Sequence, residues 1–280
     1  MELGRRPSFI DPCAKNPQTA SHSNQRNNEE ESAASAHRCG GLRASRVLTS
    51  AERDTSARPD GVREWFRKLL TYWTLIAIVS AIALMIFADV GEEVAEKSTG
   101  PFDNAVRAWF VSHQNPTVYK IAYVITWVGS PTVMVLVAIA AGAWFYHRHG
   151  RSKAGVVVAA PAAGGLLSGV IKLLYGRARP AGAALVKEQT FAFPSGHAAM
   201  SAAVMVTLCY VLARERIISW PTAIVIGGFV PLIVGLTRLY LDVHWTTDVV
   251  GGWTVGLFVA AMSAALYERL RSSAPPAAEN

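Results

Sequence analysis

The sequence predicts an all-α fold, a six-transmembrane-helix bundle with a short amphipathic outer helix and a disordered N-terminal tail. The composition supports this class, because 51% of the 280 residues are hydrophobic and only 17% are charged. The apolar residues are also grouped into uncharged runs of the length, roughly 20 residues, that a helix needs to cross a bilayer. Residues 69–267 contain almost no helix with one polar face that could cover a soluble core, so a soluble protein with buried helices is disfavoured.

Uncharged runs mark six predicted spans. In chain order they cover residues 69–88, 121–145, 154–171, 198–213, 217–237 and 249–267. No apolar stretch near Met1 has the character of a cleaved secretory signal, so we expect the first run to act as an uncleaved signal anchor.

Basic residues predict how the spans are oriented, since cytoplasmic flanks of membrane helices carry an excess of Lys and Arg. The basic residues before the first span, after the second and fourth spans and after the last span are Arg63, Arg67, Lys68, Arg148, Arg151, Lys153, Arg214, Arg216, Arg269 and Arg271. The segment 89–120 is acidic instead. We therefore expect an integral protein of the cell inner (plasma) membrane, with both termini in the cytoplasm and segment 89–120 outside.

The predicted domain organisation has three parts. Residues 1–60 are rich in Ser, Asn, Gln and mixed charges without apolar periodicity, so we expect a disordered tail. Residues 61–272 form the membrane domain, and residues 273–280 a flexible C-terminal tail.

One amphipathic segment lies between the first two spans. Phe102, Val106, Trp109 and Phe110 recur at helical spacing. This spacing predicts a short helix over residues 102–113 that either lies on the membrane surface or packs on the outer face of the domain.

The first of three polar motifs follows the third span. It reads Lys-Leu-Leu-Tyr-Gly-Arg-Ala-Arg-Pro over residues 172–180. Lys172, Arg177 and Arg179 would fall on the outer side, where the topology rule gives no reason for basic residues. Such residues can anchor a helix at the lipid headgroups, or they can bind an anion.

The second motif is Pro-Ser-Gly-His over residues 194–197, directly before the fourth span. Ser195 is a natural N-cap, so the amides of Ser195, Gly196 and His197 are expected to point outward from a helix N-terminus and offer an anion site. His197 adds an imidazole, a group that exchanges protons near neutral pH. A capped helix with an interfacial histidine explains the same four residues.

The third motif contains Arg238, His244 and Asp248. His244 and Asp248 are four residues apart, so on a helix the carboxylate could hold the imidazole in the tautomer that leaves its other nitrogen free. An oriented base or nucleophile has this arrangement. Alternatively, the helix dipole favours Asp248 in the first turn of the last span, and His244 is a loop residue.

With six spans and an inner N-terminus, all three motifs fall at the outer surface. Cationic side chains, two imidazoles, a carboxylate and a row of amides would then converge there. Such a set suits a phosphate group, whose charge Lys172, Arg179 and Arg238 would neutralise while the amides of residues 195–197 cradle its oxygens.

The three motifs together resemble the tripartite signature of the type 2 phosphatidic acid phosphatase superfamily, whose lipid phosphatases share a catalytic core with vanadium haloperoxidases. In chain order, the matching residues are Lys172, Arg179, Pro180, Pro194, Ser195, Gly196, His197, Arg238, His244 and Asp248. The resemblance covers about residues 65–270, including the six-helix layout. The third motif of the family usually opens with Ser-Arg, whereas this chain has Thr237-Arg238, which keeps a hydroxyl group.

The resemblance implies a role for each motif residue. His244 would be the nucleophile that attacks phosphorus to give a phosphohistidine, with Asp248 orienting and polarising it. His197 would protonate the leaving oxygen. The residues implied to stabilise the charge of the transferring phosphoryl group are Lys172, Arg179, Arg238, Ser195 and Gly196.

The function implied is hydrolysis of a lipid phosphate monoester or diphosphate at the outer membrane face. The substrate could be phosphatidic acid, phosphatidylglycerol phosphate or a polyprenyl diphosphate such as undecaprenyl diphosphate, because the motifs bind phosphate and do not read the tail. No cofactor and no metal are expected, and the chain lacks an acidic cluster of the type that binds magnesium. The expected partners are the bilayer and its lipid phosphates, and no nucleic acid.

Other functions remain open at this point. The chain could be a phosphotransferase that uses an acceptor other than water, or a non-catalytic scaffold or lipid-binding relative. Haloperoxidase activity is disfavoured because the vanadate enzymes of the superfamily are soluble. Gly164, Gly165 and Gly169 permit close helix packing within the chain or with another subunit, so the oligomeric state stays undetermined.

Overall fold

The computed structural model describes residues 59–180 and 190–272, with side chains from residue 70 onward. Over these residues the chain forms eight α-helices and no strand, which confirms the predicted all-α class. The helices are α1 Pro59–Ala95, α2 Gly100–Ser112, α3 Pro116–Val128, α4 Pro131–His149, α5 Arg151–Tyr175, α6 Gly196–Arg214, α7 Trp220–Tyr240 and α8 Thr246–Ser272. The chain divides into two units, 1–66 and 67–280, and every contact given below lies within the second. The predicted tails fall outside the described residues, except that residues 59 and 60 begin α1.

The described residues contain five helices that could span a membrane, or six spans if one bent pair of helices is counted as a single span. Five helices are long and apolar enough to cross a membrane by themselves, namely α1 from Leu70 onward, α5, α6, α7 and α8. α3 and α4 meet this test only as a pair, bent by 43° at the short break between them. The break follows from local chemistry. Pro131 follows Ser130, whose side chain accepts a hydrogen bond from the amide of Val133 and so caps a new helix.

The segment predicted to lie outside the membrane, residues 89–120, is mostly helical. α1 continues to Ala95, seven residues past the end of its uncharged run, because charged side chains end the apolar surface of a helix without breaking its backbone hydrogen bonds. The predicted outer helix is present as α2. α3 then begins at Pro116. The side chain of Asn115 caps it by accepting hydrogen bonds from the amides of Thr117 and Val118.

α6 and α8 form the centre of the bundle. In each, 61% of the most apolar stretch is buried, whereas the figure for α1 is 22%. Glycines on α8 allow this close approach, since a Cβ at Gly252 would stand 2.6 Å from the carbonyl oxygen of Ser195, and one at Gly256 would stand 2.5 Å from that of Ala199. Around this pair, α4 and α5 pack on α6 through a buried cluster that includes Met134, Phe145, Val156, Val157, Met200 and Val204.

The end of the bundle at which α6 and α8 begin, and at which α5 and α7 end, is called the site end below. Every residue of the three motifs lies there or in the turns that cover it.

Candidate active site

His244 lies in the turn between α7 and α8, and Asp248 lies in the first turn of α8, which is the second of the two placements that the sequence allowed. The amide of Val243 donates to the carbonyl of Arg238 at 3.2 Å, which closes this turn. His244 is buried, and its Nδ1 lies 3.3 Å from Oδ2 of Asp248, a fully buried residue in the first turn of α8. The same Oδ2 accepts a 2.8 Å hydrogen bond from the amide of Trp245, so Asp248 both caps α8 and faces the imidazole.

The contacts of the His244 ring define its tautomer. Nε2 lies 3.1 Å from Nη1 of Arg179. A guanidinium can only donate hydrogen bonds, so Nε2 must be the unprotonated nitrogen that accepts, and Nδ1 carries the proton toward Asp248. The lone pair of Nε2 therefore points to the side of the ring where Arg179 lies.

Arg179 reaches His244 because α5 ends abruptly. Gly176 takes a left-handed conformation, with φ of 56°, and its amide donates to the carbonyl of Lys172. The chain then turns across the site end, where Arg179 donates to the carbonyl of Val243 at 2.9 Å and to that of Thr190 at 2.7 Å.

Lys172 lies in the last turn of α5, beside the start of α6. Its Nζ donates to the carbonyl of Phe191, to which Arg179 also donates. Its Cε lies 3.9 Å from the point that a Cβ on Gly196 would occupy. The first and second motifs are therefore neighbours, and two cations share one carbonyl oxygen.

Ser195 occupies the N-cap position of α6, but it does not cap the helix as the sequence predicted. Its side chain makes no capping hydrogen bond, and its amide donates to the carbonyl of Asp248 at 2.8 Å. That amide is therefore not available to a phosphate oxygen. The Oγ of Ser195 is buried and has no hydrogen-bond partner among the described residues, which is unusual for a buried hydroxyl.

The two remaining predicted residues lie on α6 and α7. His197 is in the first turn of α6 and is half-buried. Arg238 is in the last turn of α7 and is buried, and its Nη1 donates to Oγ1 of Thr126 on α3 at 3.2 Å.

Arg177 is the main residue whose contacts the sequence did not predict. Its Nη1 donates to Oδ1 of Asp248 and to Oγ1 of Thr247, and its Nη2 donates to Oδ2 of Asp103, each at 2.7 Å. The placement of Arg177 in the unexplained outer basic cluster was a signal for a role here. The sequence gave no such signal for Asp103, because it is one of several acidic residues in segment 89–120.

An apolar groove runs along α5 to this site. Its volume is about 790 Å³, within the usual range for ligand pockets, and it ends at Lys172, Arg177 and Arg179. The walls and floor along α5 are Gly165, Leu166, Gly169, Val170 and Leu173. Leu166 and Leu173 are 72% and 75% exposed, so the groove opens toward the surroundings of the bundle rather than toward its core.

The arrangement as a whole places cationic side chains beside an oriented imidazole. Two carboxylates, Asp103 and Asp248, pair with Arg177, whereas Lys172 and Arg179 donate to neutral carbonyl oxygens at the site. Cations that are already held near an imidazole lone pair can bind a phosphate group and stabilise charge that develops on it.

Three comparisons with known proteins agree on one family. A sequence model of the PAP2 superfamily matches residues 153–272, a region that contains all three motifs. Phosphatidylglycerophosphatase B of Bacillus subtilis is 31% identical over 174 residues, which cover 60% of this chain and 85% of that protein. Undecaprenyl-diphosphatase of Sulfolobus acidocaldarius is 30% identical over 77 residues, which cover 28% of this chain and 34% of that protein.

A solved structure is also similar to this chain. It is the crystal structure of the first transmembrane PAP2 type phosphatidylglycerolphosphate phosphatase from Bacillus subtilis. The TM-score is 0.65 at 26% identity, and the match covers 70% of this chain and 98% of the other.

Proposed function

Because this chain belongs to the PAP2 superfamily and is an integral membrane relative of lipid phosphatases, we propose that it hydrolyses a lipid phosphate monoester or diphosphate through a phosphohistidine at His244. The observation that carries this proposal is the paired contact of the His244 ring, with Asp248 on Nδ1 and Arg179 on Nε2. It leaves a lone pair on Nε2 next to a cation that can bind a phosphate oxygen.

In the first step a substrate phosphate takes Arg179 away from Nε2 by accepting its hydrogen bonds. Nε2 then attacks phosphorus, the bond from phosphorus to the leaving oxygen breaks, and His197 gives that oxygen its proton. Asp248 accepts the Nδ1 hydrogen bond throughout and stabilises the positive charge that forms on the imidazole.

In the second step water attacks the phosphohistidine. The neutral His197 takes a proton from that water, the bond between phosphorus and Nε2 breaks, and inorganic phosphate leaves. Lys172, Arg179 and Arg238 stabilise the phosphoryl oxygens in both steps, and the unpartnered hydroxyl of Ser195 would donate to one of them. This scheme uses no metal ion and no cofactor.

The groove on α5 supports a lipid phosphate as the substrate. A lipid can place its phosphate at Lys172 and Arg179 while one apolar tail lies along Gly169 and Leu166, because the groove is continuous between these residues. Phosphatidylglycerol phosphate, phosphatidic acid and undecaprenyl diphosphate all fit this description. The distribution of basic residues supports a site at the outer face of the membrane, with both termini in the cytoplasm.

The test is phosphate release by the detergent-purified full chain in EDTA, with phosphatidic acid, phosphatidylglycerol phosphate and undecaprenyl diphosphate as substrates. His244→Ala and His197→Ala should each remove most turnover. His113→Ala is the matched control. His113 is an exposed histidine at the same end of the bundle, and among the described residues its Nδ1 contacts Ser112 and the carbonyl oxygen of Trp109 in the same helix.

Three outcomes would contradict the proposal. Turnover by His244→Ala at the wild-type rate would exclude His244 as the nucleophile. Equal damage from His113→Ala would show that the site is wrongly assigned. If the wild-type chain released no phosphate from any lipid, a phosphotransferase or a non-catalytic role would replace hydrolysis.

A further inference from the structure

Helix α2 has two different faces. Asp103 and Arg107, one turn apart, are directed at the turn that carries His244, and Asp103 is only 1% exposed. Phe102 and Trp109 are each 58% exposed on the remaining surface. The amphipathic pattern in the sequence is therefore accompanied by a polar face that is buried against the site rather than solvated.

Asp103 holds the chain immediately after His244. Its Oδ1 accepts from the amide of Thr247 at 3.1 Å, and its Oδ2 accepts from Oγ1 of Thr247 and from Arg177, each at 2.7 Å. Arg177 in turn donates to Oδ1 of Asp248 at 2.7 Å. The Arg177 guanidinium thus lies between two buried carboxylates. It occupies Oδ1 of Asp248, and Oδ2 is the oxygen that faces the imidazole.

Arg107 holds the chain immediately before His244. Its Nε and Nη2 donate to the two carboxylate oxygens of Asp242 at 2.7 and 2.8 Å, and this hydrogen bonding raises the pKa of Arg107. Asp242 takes a left-handed conformation, with φ of 57°, so the pair fixes the tightest point of the turn. The Trp245 ring lies 5.8 Å from the guanidinium of Arg107 and 5.7 Å from that of Arg177.

We propose that α2 is a clamp on the His244 turn, and that Asp103, Arg107 and Arg177 are positioning residues for the reaction. This inference rests on the proposed function, because it assigns these residues to the placement of the nucleophile. The 3.3 Å contact with Asp248 is long for a hydrogen bond to a carboxylate, so it cannot fix the imidazole alone. In the proposed first step Arg179 also leaves Nε2, so the position of the imidazole then depends in part on the backbone on each side of His244, and α2 contacts both sides.

The first experiment uses the ion pair between Arg107 and Asp242. The side chain of Arg107 is 33% exposed, so its loss should leave the bundle core intact. Arg107→Gln removes the cation, and Asp242→Asn removes the carboxylate while keeping a residue that tolerates a left-handed backbone. Each variant should lower kcat about tenfold to 100-fold, the scale expected for a nucleophile displaced by up to about 1 Å. The double variant should be no worse than the more damaged single variant, since the two act as one unit.

The second experiment uses Arg177. Arg177→Gln should lower kcat more than the Arg107 variant does, and Arg177→Lys should recover part of that loss because it restores the charge without the two-sided fork. Asn104→Ala is the control, since Asn104 is exposed on α2. It should leave kcat and KM unchanged.

Two readouts separate positioning from general destabilisation. KM for the lipid should change less than twofold in the Arg107 and Asp242 variants. Inhibition by orthovanadate, which mimics the five-coordinate transition state on a histidine, should weaken by about the same factor as kcat, whereas inhibition by inorganic phosphate should not.

The clamp and the proposed function can fail separately. If His244→Ala is inactive while Arg107→Gln and Asp242→Asn keep wild-type kcat and vanadate affinity, the clamp is refuted and the function stands. Losses that appear only as a lower thermal midpoint, with normal kcat for the folded protein, refute the clamp as well. Turnover by His244→Ala refutes the function itself.

Discussion

The backbone amide of Ser195 donates a 2.8 Å hydrogen bond to the backbone carbonyl of Asp248, and this bond joins the first turns of α6 and α8. The Pro-Ser-Gly-His motif and the His244 and Asp248 pair are therefore fixed relative to each other by the separation of two helices. Small residues on α8 set that separation, so a larger residue at one of these positions should displace the site residues and lower kcat.

Gly252→Ala tests this dependence. The added Cβ would stand 2.6 Å from the Ser195 carbonyl oxygen and 2.9 Å from Cβ of Ala198, and neither atom can swing away. We expect a loss of about 1–3 kcal/mol in the free energy of unfolding, with a lower kcat. Gly228→Ala is the control, because nothing lies within 4 Å of its Cβ position and helix propensity alone favours Ala. Unfolding in detergent would measure the stability, and phosphate release would measure kcat. A Gly252→Ala variant with wild-type stability and kcat would contradict the prediction.

Filling the α5 groove should change the choice of substrate. Gly169→Leu places a large side chain on the groove floor, where the Cβ position has no neighbour within 4 Å, so the fold should tolerate it. We expect kcat/KM for a long-tailed lipid phosphate to fall at least tenfold, while that for a short-chain soluble analogue stays within about twofold. Gly155→Leu, on the same helix but outside the groove, is the matched control. Equal losses on both substrates would mean that the groove does not hold the tail.

The opposite end of the bundle should control stability without controlling chemistry. Nε and Nη2 of Arg214 donate to the two carboxylate oxygens of Glu268, at 2.5 and 2.7 Å, and the side chain of Glu268 is 2% exposed. Arg214→Ala would remove the cation from the buried Glu268 carboxylate and leave it the hydrogen bond from Tyr210, so we expect a loss of about 3–5 kcal/mol in the free energy of unfolding. Thermal unfolding should show this loss while kcat of the folded fraction is preserved. Arg148→Ala, at an exposed position, should change neither quantity.

Glu215 should make stability depend on acid pH. Burial alone would raise the pKa of this carboxyl, but hydrogen bonds from Lys153 and Tyr267 outweigh burial and lower it from the ordinary 4.5. A carboxyl with a lowered pKa contributes stability above its unfolded value, and this contribution is lost as the pH falls through the folded value. Glu215→Gln should therefore be less stable than wild type at neutral pH, and this difference in stability should shrink as the pH falls below 4.5 and through the lowered folded pKa.

Melting curves of both proteins across this pH range would show the effect. Glu92→Gln is the comparison, because Glu92 is exposed on α1. If the gap between Glu215→Gln and wild type is the same at neutral and at acid pH, the contacts of Glu215 do not contribute as described.

The membrane fold was predictable because the bilayer imposes a simple rule of length and hydropathy on each span. The ends of the helices were less predictable. α1 runs on through Asp89 and Glu92, since a helix needs only its own backbone bonds to continue. The break in the second span was visible in principle, because Gly129, Ser130 and Pro131 interrupt an otherwise uniform apolar run.

The motif residues could be named from the sequence because their spacing is short and specific. Their surroundings could not, because the partners are distant in the chain: Arg177 contacts Asp103 across 74 positions, and Arg107 contacts Asp242 across 135. The use of the Ser195 amide by Asp248 was equally hidden, and it changes which donor of Ser195 a phosphate could reach. The local sequence pattern indicates which residues form the candidate site. Tertiary packing determines which of their atoms remain able to contact a substrate.

The contrast between α1, with 22% of its apolar stretch buried, and α6, with 61%, also bears on how this sequence can diverge. Most side chains of α1 are exposed and would face lipid. Lipid tails solvate any apolar side chain of similar size about equally well. Most of those of α6 meet other side chains of fixed shape. Among homologous sequences, α1 should therefore drift freely among Leu, Ile, Val and Met, while the Ala and Ser positions of α6 are retained.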